Sequence, residues 1–277
     1  MPYESPWQQT RRSSVADDID YEIKGQELQF LEIELDPGES AVAEAGAMVW
    51  KDASIAMTTV FGDGSGTSGG GFMGKLLGAG KRLVTGESLF TTVFTHEGYG
   101  KARVAFASPT PGSIVPLRLS DIGGQLICQK DAFLAAAKGV SLGIYFQRRI
   151  MTGLFGGEGF VMQSLTGDGW VFVQMGGTVV ERELAPGEEL HVDTGCLAAM
   201  TPSIDFDLMG VGGVRSAFFG GEGLFFARLR GPGKVWIQSL PFSRLAGRMM
   251  AAANGGGQNR GEGSVLGGLG DLIGGNN

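Results

Sequence analysis

The sequence predicts an all-β fold of three related short β-sandwich, double-stranded β-helix-like repeats around a pseudo-three-fold axis, followed by a short C-terminal helix. Three observations predict it. The 49 glycines among 277 residues recur between apolar stretches rather than in a G-X-Y period, as turns and bulges that need positive φ would. Hydrophobic residues make up 43% of the chain and alternate with period two inside those stretches, the mark of strands with one face buried. Two sequence blocks then recur in the same order along the chain, the mark of internal duplication.

Residues 1–20 read as a polar arm, in which no apolar run follows Arg11 and Arg12, so no signal peptide is expected. Repeat 1 covers 21–108. Its upstream block is Leu35-Asp36-Pro37-Gly38-Glu39 followed by Gly46-Ala47-Met48-Val49-Trp50, and its downstream block is Thr85-Gly86-Glu87-Ser88-Leu89-Phe90. Repeat 2, 109–175, follows the linker Ser108-Pro109-Thr110-Pro111-Gly112. Its upstream block is divergent, with Leu119, Gly123-Gly124 and Asp131-Ala132-Phe133-Leu134, and its downstream block is Gly156-Gly157-Glu158-Gly159-Phe160-Val161.

Repeat 3, 176–240, starts at Gly176-Gly177. It carries Leu184-Ala185-Pro186-Gly187-Glu188, then Gly195-Cys196-Leu197-Ala198, then Gly220-Gly221-Glu222-Gly223-Leu224-Phe225. Each Pro-Gly pair signals a type II turn, with glycine where φ is positive. The strand, glycine turn and strand after each G-E signature read as hairpins: Gly167-Asp168-Gly169, Gly231-Pro232-Gly233, and a longer tip from Thr95 to Gly100. Residues 241–253 read as a short helix stopped by Asn254 and three glycines, and 254–277 as a glycine-rich flexible tail. The three repeats are expected to form one compact unit.

Charge and cysteine usage narrow the function. A net charge of −7 argues against binding nucleic acid by phosphate neutralisation, so RNA recognition is not expected. Two distant cysteines, Cys128 and Cys196, make no disulfide framework and fit a reducing compartment. No stretch approaches the ~20 apolar residues of a spanning helix. A cytoplasmic chain, peripheral to a membrane if it meets one, is expected.

The motifs that imitate chemistry lack their context. Gly64 to Gly69 matches G-x-G-x-x-G, but no βαβ unit surrounds it. Gly69 to Lys75 imitates a phosphate loop, yet Leu76 stands where a magnesium-binding hydroxyl belongs. His191 aligns across the copies with Val42 and Ile127, an apolar slot, and Cys196 aligns with Ala47 and Ala132, a small packed slot. His96 lies at a tip beside Glu97, where a solvated histidine is expected. No H-E-x-x-H or C-x-x-C occurs, and no catalytic residue or cofactor is assigned.

Glu87, Glu158 and Glu222 occupy equivalent positions. Three clustered carboxylates could hold a cation, or each could accept backbone N–H bonds from its own glycine bulge or from the neighbouring copy. The second reading is favoured, because no other nearby oxygen ligands recur with them. Before each glutamate, basic residues sit among bulky apolar ones. The predicted contact surface is Phe72, Lys75, Leu76, Lys81 and Arg82 in the first copy, Arg148, Arg149 and Phe155 in the second, and Arg215, Phe218 and Phe219 in the third. An apolar and basic face on an acidic protein suits an anionic lipid surface, an acidic partner or a neighbouring subunit.

These blocks, with the glycine-rich insert and the closing Leu240-Pro241-Phe242-Ser243-Arg244-Leu245-Ala246, resemble one bacterial family. It is the family of unknown function related to the mitochondrial inner-membrane protein called altered inheritance of mitochondria 24. The resemblance covers roughly residues 20 to 250. It implies a fold like that of the tryptophan RNA-binding attenuation protein and further assembly, and it brings no catalytic residue. The expected function is a non-enzymatic scaffold or membrane-associated assembly protein, a homo-oligomer that binds anionic lipid or a protein through the repeated loops. The alternative is a small-ligand or metal-binding module using an inter-repeat crevice or the glutamate set.

Overall fold

The computed structural model describes residues 16–61, 90–148, 160–210 and 225–254. The first stretch of chain supplies β1 (Asp20–Lys24), β2 (Phe30–Leu35), β3 (Ser40–Glu44), β4 (Met48–Lys51), β5 (Ile55–Phe61), β6 (Phe90–His96) and β7 (Ala102–Ala107). The second supplies β8 (Gly112–Arg118), β9 (Gln125–Gln129), β10 (Phe133–Ala137), β11 (Ser141–Arg148), β12 (Phe160–Thr166) and β13 (Trp170–Gly176). The third supplies β14 (Val179–Leu184), β15 (Glu189–Asp193), β16 (Leu197–Met200), β17 (Asp205–Gly210), β18 (Phe225–Arg230) and β19 (Gly233–Gln238). One helix, α1 (Phe242–Asn254), follows. The fold is all-β with a short C-terminal helix.

One antiparallel pairing scheme recurs in the three stretches. The last strand of each stretch lies between two others: β7 between β2 and β4, β13 between β8 and β10, and β19 between β14 and β16. The strand before it lies between two more: β6 between β3 and β5, β12 between β9 and β11, and β18 between β15 and β17. Even the irregularity repeats, with a register shift at Met48/Trp50, Phe133/Ala135 and Leu197/Ala199. Each stretch is thus a small sandwich of two sheets. Three buried clusters fill the sandwiches, centred on Leu31, Ile33 and Phe106, on Leu126, Phe133 and Trp236, and on Met162, Leu197 and Leu229.

Neighbouring sandwiches share sheets. β10 pairs with β3, placing Ala135, Ala136 and Ala137 opposite Ala43, Val42 and Ala41. β16 pairs with β9, placing Ala199 and Met200 opposite Cys128 and Ile127. Two six-stranded sheets result, β5-β6-β3-β10-β13-β8 and β11-β12-β9-β16-β19-β14. A four-stranded sheet, β1-β2-β7-β4, and a three-stranded sheet, β15-β18-β17, flank them. Strands covered on both faces lose the polar alternation of half-buried strands. Accordingly β10 (FLAAA) and β16 (LAAM) are buried throughout. Ala16 and Ile19, within the segment read as an arm, are buried in the first cluster.

The Pro-Gly blocks fold as their chemistry dictates. Gly38 and Gly187 have φ of +90° and +80°, and the N–H groups of Glu39 and Glu188 donate to the carbonyls of Asp36 and Ala185 at 3.0 and 2.9 Å. Each glutamate then turns back on its own turn. The Asp36 and Ala185 N–H groups donate to the Glu39 and Glu188 carboxylates at 2.8 and 2.9 Å.

The glycine turns after β6, β12 and β18 are not hairpins, which corrects the reading of the sequence. β12 and β13 lie in different six-stranded sheets; β6 and β7 likewise lie in different sheets, and so do β18 and β19. These turns are arches that carry the chain across the sandwich core. A glycine at either end serves an arch and a hairpin alike, and the choice is made by the strands waiting in each sheet. The true hairpin partners are β5 with β6, β11 with β12 and β17 with β18.

One junction between sandwiches holds a carboxyl whose pKa is raised by its surroundings. Glu44 closes β3 beside the turn into β10, and its carboxyl is pushed up to about 7, chiefly by desolvation and then by the charge of Asp131. The residue as a whole still reaches solvent, so the effect is modest. A carboxyl whose pKa rises on folding from 4.5 to about 7 contributes its stability fully below 4.5 and loses it as pH rises through 7. Gln129 holds the corresponding place in the next junction, where its amide donates to the Thr194 carbonyl at 2.6 Å. Glu44→Gln is expected to flatten the decline in melting temperature between about pH 4.5 and about pH 7. Identical slopes for the two proteins would show that Glu44 does not titrate there.

Candidate interaction surface

The strands β5, β11 and β17 each form one edge of their sheet. Each is a half-covered edge, and each exposes apolar side chains: Met57 on β5, Ile144 and Tyr145 on β11, and Met209 on β17. Tyr145 sits at the register shift between Ile144 and Phe146, where the bulge turns it outward from the ladder. Aromatic contacts tie two of these edges together. Phe146 of β11 lies 5.4 Å from Phe206 of β17, and Phe206 stacks on Phe160 at 6.0 Å.

The predicted contact segments join these edges to their partners. Residues 62–89 connect Phe61 to Phe90, which face each other in the ladder; residues 149–159 connect Arg148 to Phe160, also a facing pair. Residues 211–224 connect Gly210 to Phe225 in the same way. The three connections therefore leave and re-enter at corresponding hairpin ends. Phe72, Lys75, Leu76, Lys81, Arg82, Arg149, Phe155, Arg215, Phe218 and Phe219 lie outside the described residues, as do Glu87, Glu158 and Glu222. Arg148 is placed only as the last residue of β11. Among the described residues, no group of three or more His, Cys, Asp or Glu side chains is gathered as a metal site.

Both histidines differ from their sequence reading. His96 is not solvated: it is 1% exposed, accepting from the Gly98 N–H at Nδ1 (3.3 Å) while Nε2 meets the Gly100 carbonyl at 3.0 Å. With Nδ1 accepting, Nε2 is the nitrogen that donates, and the ring staples the turn. His191 is not a packing residue. Its ring is exposed, 2.8 Å from the Glu189 carboxylate and tilted against Phe226 with ring centroids 4.8 Å apart. Val42 and Ile127 are buried at the matching register because a strand from the next sandwich covers β3 and β9, and no such strand covers β15. Cys196 is half-buried against the third cluster, and burial raises its thiol pKa, so it stays a thiol. Burial pushes Cys128 up to about 12.

The outer face of the four-stranded sheet is a charge ladder rather than a groove. Glu34 receives Lys101 at 2.6 Å and Arg103 at 2.8 Å, and these two cations hold its carboxyl below the usual range. Glu32 receives Lys24 at 2.8 Å. The exposed apolar residues of β5, β11 and β17 thus stand apart from this charged face.

Comparison with known proteins agrees with this architecture. A family model described as mitochondrial biogenesis AIM24 matches residues 21–240. An uncharacterized protein of Streptococcus pyogenes serotype M6 is 31% identical over 230 residues, which is 82% of this chain and 87% of that protein. The X-ray crystal structure of protein SPYM3_0169 from Streptococcus pyogenes superposes with a TM-score of 0.67 at 26% identity, covering 84% of this chain and 99% of that one. No helix among the described residues is long and apolar enough to cross a membrane.

Proposed function

We propose that this chain, which belongs to the mitochondrial biogenesis AIM24 family, is a non-enzymatic assembly protein that docks on an anionic lipid surface through its three edge connections. What supports the reading is that the three apolar-basic segments of the sequence each link a strand to its antiparallel partner, β5 to β6, β11 to β12 and β17 to β18, and that those edge strands expose Met57, Tyr145 and Met209. A rotation relating the three sandwiches would bring the connections onto one face. Apolar side chains entering the headgroup region and arginine or lysine beside phosphate each add a small increment, about 1 kcal/mol per basic residue near the surface. Three such segments acting together hold far more tightly than one.

Flotation with phosphatidylcholine vesicles, with and without phosphatidylglycerol, tests this. Wild type is expected to float with the anionic vesicles only. A Lys81/Arg82/Arg148/Arg149/Arg215→Glu variant is expected to stay in the dense fraction, with melting temperature retained. Equal flotation of the two proteins, or none by wild type, sinks the lipid reading.

A further inference from the structure

The helix α1 is tied to the third sandwich through its first turn. Pro241 is buried, and its carbonyl accepts from the Arg244 and Leu245 N–H groups at 3.0 and 3.3 Å. The Arg244 guanidinium meets Asp193 of β15 at 3.2 Å. Beyond that turn Gly247, Arg248, Met249 and Met250 are all exposed.

The sequence of α1 divides its surface in two. Phe242, Leu245, Ala246 and Met249 recur at i, i+3, i+4 and i+7, so successive turns align them in one apolar stripe. Leu245 and Ala246 are half-buried, but Phe242 and Met249 are 55% and 62% exposed, and Met250 beside them is 66% exposed. At about 100° per residue, Arg244 falls on the side opposite the stripe. Its ion pair with Asp193 therefore turns the charged side toward the sandwich and the stripe away from it. Arg248 falls about 110° from the middle of the stripe, at the border of the apolar face.

A helix of 13 residues is marginal in water by itself and gains its stability by covering an apolar face. In α1 that face is the one the sandwich leaves open. The helix holds two arginines and no carboxylate, a local cation on a chain of net charge −7. The surface that complements it is apolar within and anionic at its margin. We propose that α1 lies in the plane of an anionic lipid bilayer, with Phe242, Met249 and Met250 sunk below the headgroups and Arg248 at the phosphates. The inference rests on the lipid reading above and adds a contact of another kind, a helix already formed. Two weak attachments on one chain hold far better than either alone, and the three edge connections supply the other.

Flotation of the full chain with phosphatidylcholine vesicles containing phosphatidylglycerol is the first test. Phe242→Glu/Met249→Glu is expected to bind about tenfold more weakly than wild type, or worse. Its melting temperature should be retained, because both side chains are exposed. An environment-sensitive fluorophore on Met249→Cys reads the helix directly, with wild type treated the same way as the blank for Cys128 and Cys196. Its emission is expected to shift to the blue with the anionic vesicles and to stay unchanged with phosphatidylcholine alone. If the glutamate variant floats as wild type does and the label does not shift, α1 is not a contact, while the edge connections are still judged by their own variant. The opposite pattern, with the five-site charge variant floating and the helix variant not, keeps α1 and removes the edge connections. Emission already blue-shifted before vesicles are added means that the chain covers this face itself, and overturns the proposal.

Discussion

Trp236→Ala is expected to destabilise the fold by about 3–5 kcal/mol, the range for truncating a fully buried aromatic. Trp236 is 1% exposed in the second cluster, facing Glu181 of β14 on one side and Ala199 of β16 on the other. Its sheet is covered on both faces at this point, so little can collapse into the space left behind. The indole N–H also donates to Glu181 at 3.0 Å. The expected readout is a lower urea midpoint with an unchanged slope. Trp236→Phe keeps most of the volume and leaves Glu181 with Lys234 at 2.7 Å, so its loss should be nearer 1 kcal/mol, roughly that of one hydrogen bond. Similar midpoints for the two variants would show that the volume is not what matters.

Gly176→Ala is expected to cost roughly 3 kcal/mol or more, the upper range for forcing atoms into a packed site. A Cβ on Gly176 would run into the Leu240 carbonyl oxygen. The two backbones are locked together there: the Leu240 N–H donates to Gly176 at 3.1 Å, and the Gly176 N–H donates to the buried Gln238 side chain at 2.8 Å. Backbone on backbone cannot yield as a flexible side chain could. Gly187→Ala is the informative comparison, because a Cβ there meets open space and only its φ of +80° opposes the change. That variant should lose about 1–2 kcal/mol. If Gly187→Ala were the more damaging of the pair, the contact with Leu240 could not be the cause.

Local chemistry made much of the fold legible. Period-two alternation and the Pro-Gly turns located the strands around Gly38 and Gly187, and the aligned blocks placed Cys196 correctly beside Leu197 in a packed turn. The misreadings share one origin. Gly167-Asp168-Gly169 was legible as a turn, but the choice between hairpin and arch depends on which strands flank β12 and β13 from far along the chain. His191 was correctly aligned with Val42 and Ile127, yet an alignment of copies identifies a slot without saying whether its neighbour strand exists. The exposed edge strand β4 had left a trace. Trp50 and Lys51 stand where the later copies carry alanine or methionine, a contrast visible in the aligned blocks. The predicted contact residues were legible as composition, while their placement rests on facing pairs such as Phe61 with Phe90.

The shared sheets also govern how the chain must be made. As the first sandwich leaves the ribosome, β3 has no neighbour on its inner side until β10 emerges about ninety residues later, the separation of Ala43 from Ala135. β9 then waits for β16 over about seventy residues, from Cys128 to Ala199. Truncation at either linker therefore releases no finished domain, but a half-sheet with its apolar edge open. Nascent and truncated chains of this protein therefore carry an aggregation hazard at these inner strands that the completed molecule removes by pairing them.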